Sequence, residues 1–171
     1  MSEIKTPKLD WVERYRRMLD IAYTTLTTAD MILYKKLDPN TASEMVKELH
    51  KSFASQCGKK LVEKFNLKSS VEDALKLFKL YSCEVWGYGA EEYVSAKLET
   101  QKKGVYANLV CRGWELAKRS KQEEEMKKVC NDGCIVEYTT LLKTLAPNLK
   151  LKRTKLIPYG NDRCEYTIEE E

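Results

Sequence analysis

The chain has 171 residues, of which 43% are apolar and 33% charged, and a net charge of +4. That length suits one domain that buries its core unaided, and no apolar run approaches the roughly 20 residues of a membrane-spanning helix. The pI of about 8.6 is only mildly basic, and acids alternate with lysines and arginines through most of the chain, which argues against a nucleic-acid partner and leaves a soluble globular class.

In chain order, the opening MSEIKTPKLD lacks the apolar stretch of a secretory signal, so a cytoplasmic protein with no membrane partner is expected. Trp11, Tyr15, Met18, Leu19, Ala22, Leu26 and Leu33 recur at helical spacing over about 10–37. Asp38-Pro39-Asn40 stops that helix, because proline disfavours helix in the residue before it. Thr41-x-x-Glu44 reads as a capping box for a second helix through Phe65, and Ser69-x-x-Glu72 opens a third along Val71, Leu75, Phe78 and Leu80. His50, the one histidine, falls within the second and reads as a surface or half-buried residue, so a histidine-paired metal motif or a Ser-His-Asp triad has little support. Gly87-Tyr88-Gly89 lacks the spacing of a nucleotide loop.

The period then changes from helix to strand. Glu92 to Thr100 alternates, with Val94, Ala96 and Leu98 on one face, and Gln101–Gly104 reads as a hairpin loop with Gly104 supplying a positive φ. Val105, Ala107, Leu109 and Cys111 continue as the apolar face of the next strand. Trp114, Leu116 and Ala117 start a short helix, and the polar run Lys118–Lys128 reads as a solvated loop or helix end. Ile135, Tyr138, Leu142 and Leu145 mark a helix that stops at Ala146-Pro147-Asn148. Leu149–Ile157 is a strand of ambiguous parity, and its Lys150, Lys152, Arg153 and Lys155 read as a solvated face. Gly160-Asn161-Asp162 turns the chain into a last strand with Cys164, Tyr166 and Ile168 on one face. Val94, Leu98, Leu109, Tyr166 and Ile168 should therefore pack against helices on one sheet face. The expected class is α+β in a single domain over 1–171. It has a mainly helical part, 1–82, and a ββ-α-ββ part with an antiparallel sheet, 83–171.

Four of the six cysteines lie in this last third: Cys111, Cys130, Cys134 and Cys164. In an intracellular chain such cysteines are reduced, metal-bound or catalytic rather than a disulfide framework. Cys130 and Cys134 stack one turn apart if both are helical, so with Cys164 and Cys111 they can close a tetrahedral zinc site. Alternatively, Cys134 or Cys130 near a helix N-terminus has its thiol pKa lowered by the helix dipole, with Glu137 on the same helical side to move protons. The plain reading is that several are small buried apolar residues.

Three groups of residues carry a resemblance. They are Cys111-x2-Trp114-Glu115, then Cys130-x3-Cys134-x2-Glu137, and finally Pro147–Leu151 with Arg153-Thr154-Lys155 and the closing Gly160–Tyr166. Together, over about a third of the chain, they resemble the L-2-amino-thiazoline-4-carboxylic acid hydrolase-like family and, more distantly, the 4-vinyl reductase domains. The resemblance implies a pocket between helices and sheet, with Cys111, Trp114 and Tyr138 facing a small-molecule ligand. It further implies hydrolysis of a C–N bond of a cyclic amidine by Cys134 with Glu137, and a homodimer. The alternative it implies is a non-enzymatic ligand-sensing module holding zinc. Cys130 and Cys164 fall on two of that family's zinc positions, Arg153 and Leu156 fall on the other two, and Cys134 or Cys111 supplies a further sulfur.

Overall fold

The structure, a computed structural model, describes residues 11–87 and 93–170. The expected MSEIKTPKLD segment and the Tyr88, Gly89 and Glu92 positions lie outside these residues. Among the described residues, six α-helices and four strands run in the order α1 (Trp11–Lys36), α2 (Pro39–Phe65), α3 (Val71–Leu80), β1 (Val94–Thr100), β2 (Lys103–Asn108), α4 (Arg112–Ser120), α5 (Glu123–Val129), α6 (Ile135–Leu145), β3 (Leu149–Lys155) and β4 (Cys164–Glu170). The class is α+β, with a wholly antiparallel sheet in the order β1-β2-β4-β3. Among the described residues, no helix is long and apolar enough to cross a membrane.

Local chemistry sets the helix ends. Asp38 caps α2, its Oδ1 accepting from the N–H groups of Asn40 and Thr41, with Pro39 in the first turn, where its missing N–H costs nothing. The cap therefore lies three residues ahead of the expected Thr41 box. Ser70 caps α3 by accepting from Asp73 N–H, and Asp73 reaches back to Lys68 N–H; this box is shifted by one residue from the expected one.

The polar run after α4 is helical, with α5 starting at Glu123. Single π turns follow two helices, Tyr81–Val85 after α3 and Cys130–Cys134 between α5 and α6. The second joins α5 to α6 into one rod with a bulge. Arg153 on β3 donates to the carbonyl of Cys130 at 2.7 Å and to Asn131 Oδ1 at 3.0 Å, satisfying groups at that bulge.

α3 and α6 cover one sheet face, and α2 lies across α6. The register sets which residues point inward. Tyr106 opposes Tyr166, Gly104 opposes Ile168, and Asn108 opposes Cys164. Tyr106, Tyr166 and Ile168 are fully buried, and so is Val94, but Leu98 and Leu109 are exposed. The expected apolar face of β2 is therefore inverted, since Tyr106 rather than Leu109 faces the helices. A buried tyrosine is favoured there because its hydroxyl finds partners and its ring packs on Phe78, with centroids 5.5 Å apart. Gly104 is a strand residue without positive φ. It is small because a Cβ there would sit 2.7 Å from Leu75. Leu149 and Leu151 share the inner face with Arg153, while Lys150 and Lys152 point out and are exposed.

Candidate functional site

Three helices bring charged side chains to one place in the core. On α2 the buried residues Ala42, Val46, His50, Ala54, Gly58 and Leu61 follow helical spacing, so His50 faces inward. It is 5% exposed, not the surface or half-buried residue its sequence context suggested. The ring packs on Gly133, where a Cβ would lie 2.9 Å from it. Its Nε2 lies 2.9 Å from Oδ2 of Asp30, on the inner side of α1. Its Nδ1 lies 3.4 Å from Oε2 of Glu137 on α6, in ion-pair range without a well-formed hydrogen bond. The other Glu137 oxygen accepts a short hydrogen bond from the buried Tyr81 hydroxyl. Burial alone pushes the His50 pKa down, but the two carboxylates outweigh it and raise the value to about 11. His50 is thus an imidazolium at neutral pH, held between two acids.

Beside this triad lies a cavity of about 70 Å³, lined by Asp30, His50, Glu137, Tyr138, Cys111, Cys130, Cys134 and Cys164, with Tyr23, Trp86 and Leu156 among the remaining walls. Two polar systems reach it. In one, Tyr106 donates to Asn108 Oδ1 at 2.8 Å, Asn108 donates to the Tyr138 hydroxyl at 2.9 Å, and the Ser82 hydroxyl lies 3.2 Å from that same oxygen. In the other, Asp30 Oδ1 is buried with no hydrogen-bond partner among the described residues, an acceptor that burial makes costly to leave unmet.

The sequence candidates divide as follows. Cys111, Cys130, Cys134, Glu137, Tyr138 and Cys164 all face this cavity, and all six cysteines are free. Trp114 does not face it; it packs against a second apolar cluster that includes Met31, Tyr34 and Met126. Cys134 does not open a helix, because the chain is already helical before it. The expected dipole-lowered thiol is accordingly absent. Hydrogen bonding with Cys130, and then burial, push the Cys134 thiol well above its ordinary pKa. Burial, with Cys164 and Cys134 nearby, raises Cys111, and burial raises Cys164 to about 11. Glu137 is already engaged by Tyr81 and His50.

Cys111 Sγ accepts from Trp114 N–H and Cys164 Sγ from Ile157 N–H, and Arg153 is committed to the π turn. Among the described residues, no three His, Cys, Asp or Glu side chains are placed to hold a metal ion.

Asp30, His50 and Asn108 were not singled out from sequence as site residues. The available signal was a charged residue at an inward helical position, Asp30 beside Thr27, Met31 and Tyr34, and His50 between Val46 and Ala54.

No family model matches the chain, and no curated protein matches it. Among solved structures the chain is similar to a trafficking protein particle complex subunit 3 from Naegleria fowleri covalently bound to palmitic acid. The identity is 12%, the match covers 92% of this chain and 95% of that one, and the TM-score is 0.45. A likeness at that level supports no functional argument.

Proposed function

We propose that this chain is a small-molecule-binding domain whose ligand occupies the cavity between α1, α2, α6 and the sheet. The observation that carries this reading is a cavity walled by Asp30, His50 and Glu137, with one Asp30 oxygen unpartnered among the described residues. A cavity of about 70 Å³ takes a few waters or a compact polar fragment, well below the 300–1,000 Å³ of drug-sized pockets. The triad holds two acids and one imidazolium, so the ligand group it favours is an N–H donor, neutral or cationic. The six free cysteines fit a reducing compartment, and we place the protein in the cytoplasm on that ground.

Hydrolysis of a cyclic amidine, which the sequence resemblance implies, is the second reading. It is favoured by Cys134 and Glu137 lining the same cavity. A protonated Cys134 thiol and an occupied Glu137 favour binding without turnover.

Calorimetric titration with small N–H donors, including cyclic amidines, guanidinium and simple amides, tests the assignment. Binding should be saturable in the wild type and lost in Cys134→Met, which fills the cavity without removing a charge. Heats unchanged by that variant would remove the cavity from the account. Cyclic-amidine turnover that falls at least about a hundredfold in Cys134→Ser would establish the hydrolytic reading instead.

A further inference from the structure

α1 buries one side only. Thr27, Asp30, Met31 and Tyr34 are its buried residues and fix the inner side. On the opposite side Met18, Ile21, Thr25, Ala29 and Ile32 follow one another at spacings of three and four, and every one is exposed. Trp11, 76% exposed, opens the same side, and Met18 and Ile21 are 57% and 66% exposed. Single exposed apolar residues are ordinary, but a row of them along one helix marks an interaction surface.

The charges of α1 are sorted by side. Its three acids keep off the outward row. Asp30 lies in the core against His50, Asp20 pairs with Arg112 on α4, and Glu13 sits at the margin, paired with Arg17 at 2.9 Å. Arg14 comes one turn before Met18, and Lys36 one turn after Ile32, both exposed. Arg17 and Lys35 flank the row at the same two ends. The outward face is therefore apolar in the middle and basic at both ends.

We propose that α1 docks flat on an anionic lipid surface, with Met18, Ile21 and Ile32 between the headgroups and Trp11 at their level. No run of the chain can span a bilayer, but a helix lying in the interface needs none. The row from Met18 to Ile32 is about 21 Å long. At its two ends the arginine and lysine heads reach lipid phosphates while their stems lie along the apolar side. A tryptophan suits that depth because its ring is apolar and its N–H is wet. Nucleic acid would need cations along the row, and the aliphatic middle offers bases no ring to stack on. A lipid surface meets the aliphatic middle and the terminal cations at once.

Co-sedimentation of the full chain with large unilamellar vesicles tests this. Phosphatidylcholine vesicles with about 30% phosphatidylserine should carry the wild type down, at least about tenfold more strongly than phosphatidylcholine alone. Ile21→Glu, Ile32→Glu and, separately, Lys35→Glu, Lys36→Glu should each weaken binding at least about tenfold, with unchanged circular-dichroism melts. Lys150→Glu, Lys152→Glu makes the same charge change on the outer face of the sheet and should bind within about twofold of the wild type. Emission should shift to the blue on binding, and Trp11→Phe should remove that shift. A wild type left in solution by anionic vesicles overturns the proposal and leaves the face to a protein partner. Equal binding to neutral vesicles, binding indifferent to either α1 double variant, or an equal loss in the sheet variant overturns it too.

Discussion

His50 concentrates the electrostatics of the core in one side chain. Its folded pKa is raised from 6.5 to about 11 by Asp30 and Glu137. The stabilisation it brings is therefore complete below about pH 6.5, where folded and unfolded imidazoles are both charged. It is lost progressively as pH rises towards 11. Urea midpoints measured from pH 6 to 10 should fall across that window in the wild type, and the fall should shrink in His50→Gln, which should itself cost about 3–5 kcal/mol because it strands two buried carboxylates. A flat profile in the wild type would show that His50 is neutral in the native state. The thiols give a second test. Burial and mutual proximity raise Cys111, Cys134 and Cys164. Iodoacetamide at pH 7.5 should modify these three in native protein at least about tenfold more slowly than in urea, by mass spectrometry of digests. Native rates equal to denatured ones would reopen a thiolate at Cys134.

The π turn Cys130–Cys134 is the element on which the site depends. It places Gly133 under the His50 ring while its own Cys134, and Glu137 on the following helix, face the cavity. Gly133→Ala should push the ring away from Asp30 and cost about 1–3 kcal/mol in urea unfolding. A neutral result would mean that the contact relaxes freely. This element was not legible in the sequence. Helical periodicity assumes 3.6 residues per turn, so a π bulge reads as a break, and Ile135 looked like the start of a helix that begins at Glu123. The same limit explains β2. Alternation located the strand, but Val105, Ala107 and Leu109 outweighed Tyr106 in apolar count, although Tyr106 has partners for its hydroxyl. Where one residue type settled the geometry, as at Asp38-Pro39 or Gly160 with its φ of 86°, the turn was legible.

At the scale of the whole molecule, the helical half, the two hairpins and the antiparallel sheet followed from periodicity, and the site followed only in part. The cysteines, Glu137 and Tyr138 drew attention because they cluster in sequence. Asp30 and His50 come from helices far away in the chain, and only packing of α1 and α2 against α6 brings them to Glu137. The central claim is that this assembled cavity takes a small N–H donor. His50 is the one histidine in the chain, so its imidazole Cε1–H gives an NMR signal that belongs to the cavity wall without ambiguity of residue. Titrating the full chain at pH 7 with the same panel of amidines, guanidinium and amides should shift that signal saturably for at least one compound, with the imidazolium form retained. An imidazole signal unmoved by a compound that calorimetry shows to bind would place the ligand elsewhere and contradict the account.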